Sequence, residues 1–236
     1  MKLVKNSELL EYPRIKRMSL VAIEGFFSTL QAANPQPQTE LIYHNHFQLL
    51  AAVLLSAQAT DRSVNKVTDA LFAIAPTPQK MHDLGVGGIS RYIQSIGLYR
   101  TKAKNLHETC RILQEQYGGK IPHDRAALEA LPGVGRKTAN VVLNIAFDEP
   151  TIAVDTHIFR VANRTGLAPG KTPLEVEQGL LRRVPAAYRQ HAHHWLILHG
   201  RYICKARTPD CARCAVAEFC GYRGPEKSRK NSIATR

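Results

Sequence analysis

Four cysteines towards the C-terminal end, Cys204, Cys211, Cys214 and Cys220, follow the spacing C-x6-C-x2-C-x5-C. Four soft thiolates within 17 residues are enough to enclose one metal centre. Disulfides have little place in a basic chain of cytosolic character, where thiols stay reduced. Structural zinc usually takes two close ligand pairs, and only Cys211 and Cys214 form one here. A cubane presents an iron at each of four corners and accepts uneven loops, so the spacing favours [4Fe–4S] over zinc. Cys110 stands apart in a helical stretch and reads as a small core residue.

The second chemical feature is Leu131-Pro132-Gly133-Val134-Gly135-Arg136-Lys137-Thr138-Ala139, with helical patterning on both sides. Two helices joined by P-G-V-G make a tight hairpin, and amides opening the second helix can meet a phosphate. An ordinary helical corner is the plainer alternative, against which the net charge and the cysteines weigh. Lys137 falls in the first turn of that second helix, where a cation opposes the helix dipole. That placement costs stability if structure is its only purpose. A neutral lysine amine can attack a sugar carbon and form a Schiff base, whereas a solvated lysine would only touch phosphate. Partial burial against the hairpin is expected for it.

Downstream, Asp155 in Ile152-Ala153-Val154-Asp155-Thr156-His157 occupies an N-cap position. A capping carboxylate is rigidly held and can also stabilise positive charge or help move a proton. His157 reads as a packing or hydrogen-bonding residue. His191, His193, His194 and His199 surround Trp195-Leu196-Ile197-Leu198 and read as part of a buried helix beside the cysteines rather than a zinc site.

The elements that must position these residues are helical almost throughout. Leu20, Ile23, Phe27 and Leu30 keep helical spacing, and Phe47 to Leu55 continue the pattern. Thr77-Pro78 and Thr172-Pro173-Leu174-Glu175 read as helix starts, the latter with a capping box, and Gly85 as a terminator. Thr151 to Val154 is too short to seed a sheet, so the fold class is all-α. The 236 residues carry 32 Lys+Arg against 19 Asp+Glu, a net charge of +13 that points to a polyanionic partner such as nucleic acid. No apolar run is long enough for a membrane span and no signal peptide opens the chain. A cytoplasmic protein is expected.

Several long motifs in order resemble bacterial endonuclease III, a DNA glycosylase/AP lyase family of the helix–hairpin–helix superfamily. They are LLSAQATD at Leu54 to Asp61, LPGVGRKTANVVLN at Leu131 to Asn144, TIAVDTHIFRV at Thr151 to Val161, HHWLILHGRY at His193 to Tyr202, and the cysteine array. The resemblance covers roughly Phe47 to Tyr222. It implies two helical lobes flanking a DNA-binding cleft: residues 1–38, an N-terminal extension and helix joining the cluster lobe; 39–149, the central lobe with the hairpin; and 150–223, the iron–sulfur cluster lobe. Residues 1 to about 16 and the basic tail 224–236 depart from the family's pattern and read from their polar composition as disordered.

By the same resemblance, Lys137 is the Schiff-base nucleophile and Asp155 its carboxylate. Gln58 enters the space vacated by a flipped nucleotide, and Leu98 wedges the opposite strand. Gly133, Val134, Gly135 and Arg136 of the hairpin, with Lys205 and Arg207 beside the cluster, contact DNA. The implied function is removal of oxidised pyrimidines and β-elimination at the abasic site. The partner is duplex DNA carrying damaged bases or abasic sites, met by a monomeric, nucleoid-associated enzyme. An adenine-type monofunctional glycosylase of the same superfamily is the nearest rival. It lacks this lysine and carries a further C-terminal domain, for which the 16 residues after Cys220 leave no room. A noncatalytic iron–sulfur DNA-binding protein would leave Lys137 and Asp155 without use.

Overall fold

The structure, a computed structural model, describes residues 15–222. The tail from Gly224 and most of the N-terminal extension, both expected to lack order, lie outside the described residues. Eleven α-helices occur among those residues, with no strand, in agreement with the all-α expectation. They are α1 (Leu20–Ala33), α2 (His46–Leu55), α3 (Asp61–Ile74), α4 (Pro78–Asp83), α5 (Gly85–Ile93), α6 (Tyr99–Tyr117), α7 (Arg125–Glu129), α8 (Arg136–Phe147), α9 (Thr156–Thr165), α10 (Pro173–Arg183) and α11 (Arg189–Tyr202).

Local signals set many of the helix starts. Ser19, Asn45, Thr60, Thr77, Asp124, Asp155 and Thr172 each accept a backbone N–H from the first turn that follows. At α10 the Thr172 side chain accepts from the Glu175 N–H, while Glu175 reaches back to the N–H of Lys171 rather than to that of Thr172. The capping box is therefore displaced by one residue. Gly85 has φ +69° and separates α4 from α5, which begins at that residue.

The chain divides into two compact units. One comprises Pro37–Ala153 with Arg189–His194, the first residues of α11. Its centre is α2, where every residue from Phe47 to Leu55 is buried, so the helix is enclosed on all sides and packs against α3, α6 and α8. Amphipathic neighbours complete this core: Val64, Val67 and Leu71 from α3, Leu106 and Leu113 from α6, Ala139, Val142 and Leu143 from α8. The short α7 packs on α8 and forms the hairpin with it.

The other unit comprises Val154–Tyr188 with the described residues 15–36 and 195–222. Phe27 of α1 stacks on Tyr188, with ring centres 5.7 Å apart, and Trp195 lies 6.3 Å from Phe27. Both polar tips are satisfied: Trp195 Nε1 donates to Asn34 O and Tyr188 Oη to Glu24 Oε1. Gly25 lets Phe219 of the cysteine loop seat against α1, since a Cβ there would lie 2.4 Å from the Phe219 ring.

Candidate active site and metal centre

The hairpin has one strained corner. Gly133 has φ +77°, and a Cβ there would come within 2.6 Å of Asn105 Nδ2, so both conformation and space require glycine. Gly135 is extended and is the N-cap of α8, with no side chain to cap the first amides. Val134 is buried and its N–H donates to Leu131 O, so its amide closes the turn. Gly133, Gly135, Arg136 and Lys137 are exposed. For Lys137 this differs from the expected partial burial, because a first-turn side chain following an extended glycine projects away from the packed face of α8.

Gln58 and Leu98 share a property that sequence does not display. They are two of the three non-glycine residues with positive φ among the described residues, at 55° and 60°, and both are exposed. The left-handed region costs a residue with a Cβ about 1–2 kcal/mol. Such strain concentrates at functional positions.

Asp155 caps α9 through its carboxylate, which accepts from Ile158 N–H at 2.8 Å. Two residues on, His157 Nδ1 lies 3.2 Å from the Arg160 guanidinium, the hydrogen-bonding role expected of it. Arg160 is buried and also donates to Cys204 O at 3.0 Å and Gly200 O at 2.7 Å. Arg164, a further turn along and also buried, donates to Lys205 O at 2.6 Å and Ala206 O at 2.8 Å, and its Nη1 lies 3.5 Å from Cys204 Sγ. These two arginines tie the cysteine loop to α9. Sequence reasoning missed them, because arginines four apart on a helix usually face solvent. Lys205 and Arg207 are exposed on the segment so held.

Cys204, Cys211, Cys214 and Cys220 line one cavity with Arg164, His199 and Tyr222. Burial, opposed by a backbone bond from Val216, pushes the Cys214 thiol up to about 11, and the other three cysteines add to the rise. Four thiolates at this site would need a cation to neutralise them, as a bound metal would supply. His199 is held neutral by burial, its pKa lowered to about 4, and its Nε2 lies 3.9 Å from Cys214 Sγ. Among the described residues no group of three or more His, Cys, Asp or Glu is placed to hold a single metal ion. The thiols surround a space, as a cluster bonded at its corners requires. Cys110 lies elsewhere, fully buried, its thiol pushed up to about 12 by burial.

Residues 51–186 match the model of the HhH-GPD superfamily base excision DNA repair proteins. The chain is 61% identical over 194 residues to endonuclease III of Escherichia coli (strain K12), covering 82% of this chain and 92% of that protein. It is 57% identical over 205 residues to endonuclease III of Rickettsia conorii, covering 87% and 98%. The chain belongs to the endonuclease III family. It is thus a base-excision DNA glycosylase/AP lyase. The solved structure of a trapped endonuclease III–DNA covalent intermediate, an estranged-adenine complex, superposes with a TM-score of 0.81 at 41% identity, covering 91% of this chain and 99% of that one. A thermostable thymine-DNA glycosylase superposes with a TM-score of 0.77 at 25% identity, covering 86% and 96%. No described helix is long and apolar enough to cross a membrane.

Proposed function

We propose that this chain removes oxidised pyrimidines from duplex DNA and cleaves the abasic strand by β-elimination through a Schiff base on Lys137. The observation that carries the reading is an exposed lysine on the first turn after a glycine hairpin, in a chain 41% identical to an endonuclease III trapped as a covalent intermediate with DNA. The damaged nucleotide flips out of the stack, at a cost reduced by its poor pairing. The Lys137 amine attacks C1′, the C1′–N bond breaks and the base leaves; the C1′–O4′ bond then opens, with O4′ taking up a proton as the attacking nitrogen loses one. The resulting imine acidifies the C2′ proton, and its removal expels the 3′ phosphate as the C3′–O bond breaks.

Asp155 serves as the catalytic carboxylate, stabilising positive charge on the sugar and assisting proton transfer, and its cap bond fixes its orientation. Gln58 fills the vacated stack and Leu98 wedges the opposite strand; exposure and a strained backbone at both support this. Gly133, Gly135 and Arg136 present the hairpin to a backbone phosphate, with Val134 closing its turn and Lys205 and Arg207 as further phosphate contacts. Cys204, Cys211, Cys214 and Cys220 hold a [4Fe–4S] cluster. When bound it fastens the loop at four points, and four protein thiolates leave no iron position for substrate. The enzyme acts as a monomer on the DNA of the nucleoid, in the cytoplasm.

Borohydride reduces an imine to a stable amine. The protein incubated with abasic-site duplex and borohydride should give a covalent adduct that survives denaturation, and Lys137→Ala should abolish it while keeping helical content. An adduct from Lys137→Ala at the wild-type rate assigns the nucleophile elsewhere. Base excision by the wild type without any adduct removes the lyase step.

A further inference from the structure

The hairpin that carries Lys137 has a structural twin earlier in the same unit. Ile93-x-x-Ile96-Gly97-Leu98 leads into α6 as Leu128-x-x-Leu131-Pro132-Gly133 leads towards α8, and the four aliphatic side chains are all buried. Ile96 N–H donates to Ile93 O at 3.1 Å, and Leu131 N–H donates to Leu128 O at 3.1 Å. Each corner then turns on one left-handed residue, Leu98 at φ +60° and Gly133 at φ +77°. Four residues past the corner stands a lysine, Lys102 or Lys137, and seven past it an asparagine, Asn105 or Asn140.

The likeness extends to how the following helices begin. Both α6 and α8 start with no side-chain cap and no acidic residue in the first turn. Both opening turns are basic instead, with Arg136 and Lys137 in α8 and Arg100 and Lys102 in α6. Cations there oppose the helix dipole, a penalty that an anion held at the free amides reverses. Arg100 is exposed, and its guanidinium carbon lies 5.0 Å from the Tyr99 ring centre, which steadies it beside the helix start. Lys102 differs from Lys137 in lying inside. It is 4% exposed and its Nζ has no hydrogen-bond partner. A long helical side chain leans towards the N-terminus of its helix, which directs this amine beneath the α6 amides. A buried amine without a partner costs stability, and here it is held where an arriving anion would favour its protonated form.

Both corners rest on α6. Gly133 packs against Asn105, and Pro132 O accepts from Thr109 Oγ1 at 3.3 Å. From Leu98 to Asn105 the helix rises about 10 Å along its axis. The grooves of B-DNA are about 6–12 Å wide, so two helix starts at this spacing can meet two phosphates of one duplex. The hairpin glycine lets a backbone approach its corner closely. Its counterpart Leu98 is 58% exposed and projects a side chain instead, while the amides and Arg100 behind it stay open.

We infer that the start of α6 is a second phosphate site: its first amides and Arg100 hold a backbone phosphate of the strand that Leu98 enters, and Lys102 supplies charge from beneath. The inference rests on the DNA reading above. The test is binding to a duplex with a tetrahydrofuran abasic analogue, in which single phosphates of the undamaged strand are replaced in turn by uncharged methylphosphonate. One replacement near the analogue should weaken the wild type by about threefold or more and leave Arg100→Gln unaffected, because that contact is already lost. The slope of log affinity against log salt should also fall by about 0.9 in Arg100→Gln. Lys102→Met should weaken binding of the same duplex by a similar factor with no fall in urea midpoint, since the amine has no partner to lose in the free protein. A replacement profile for Arg100→Gln that matches the wild type's overturns the site, and Lys102→Met at wild-type affinity removes the amine from it. Wild-type binding that ignores both salt and every replacement instead defeats the DNA reading itself.

Discussion

Arg164→Met tests whether a buried guanidinium holds the cysteine loop to the helix that Asp155 caps. Methionine keeps most of the apolar stem and removes the fork. The lost bonds run to Lys205 O and Ala206 O, with Cys204 Sγ 3.5 Å away and the Tyr222 ring centre 5.4 Å from the guanidinium carbon. Hydrogen bonds to a charged partner contribute about 1.5–3 kcal/mol each. Lys205 and Ala206 are exposed, so water can replace part of what their carbonyls lose, which places each bond at the low end of that range. The two carbonyl bonds together then give about 3 kcal/mol. At a urea slope of about 3 kcal/mol per M, the unfolding midpoint should fall by about 1 M. The assay is urea unfolding of the cluster-loaded protein, followed in parallel by helical circular dichroism and by visible absorption. Arg164→Lys keeps the charge but not the fork and should fall between the two. A midpoint for Arg164→Met within about 0.3 M of the wild type, with unchanged visible absorption, would refute the reasoning.

The metal centre should be iron–sulfur: anaerobically purified protein is expected to be yellow-brown with about four irons per chain, and stoichiometric zinc without iron would exclude it. Stability should decline with acid. The unfolded chain protonates His194 near its ordinary value of 6.5, whereas the folded chain resists until about 4. The stabilisation is therefore full above pH 6.5 and is lost as pH falls towards 4, by about 1.4 kcal/mol per unit. Buried His193, also lowered, adds in the same direction. Urea midpoints that do not change between about pH 7 and about pH 5 would contradict this, and His194→Leu should flatten the dependence. Gln58→Gly and Leu98→Gly should leave stability equal or raise it by up to about 1 kcal/mol, since glycine relieves a positive φ at an entropic cost. Both should lower excision of damaged bases more than binding of undamaged duplex; equal losses would mark the two residues as structural.

Much of the fold is legible in the chain because the signals are local. Thr77-Pro78 and Thr172-Pro173 start helices through contacts within four residues, and the helical spacing of Phe47 to Leu55 marks a further helix. The hairpin, the cysteine array and the net charge are local or compositional as well, and together with the long motifs they pointed to the family that the comparisons then established.

What sequence could not convey depends on residues far apart in the chain. Arg164 meets Cys204 across 40 positions, and Gln190 meets Asn144 across 46. No periodicity separates those arginines from solvated ones. The left-handed backbone at Gln58 and Leu98 is equally invisible in side-chain type, since neither residue favours it. Local propensity thus determined where the helices lie and which residues could do chemistry. Tertiary packing decided which charges are buried, which polar atoms lack a partner and where a cavity remains, because burial and desolvation belong to the assembled chain and not to any segment of it.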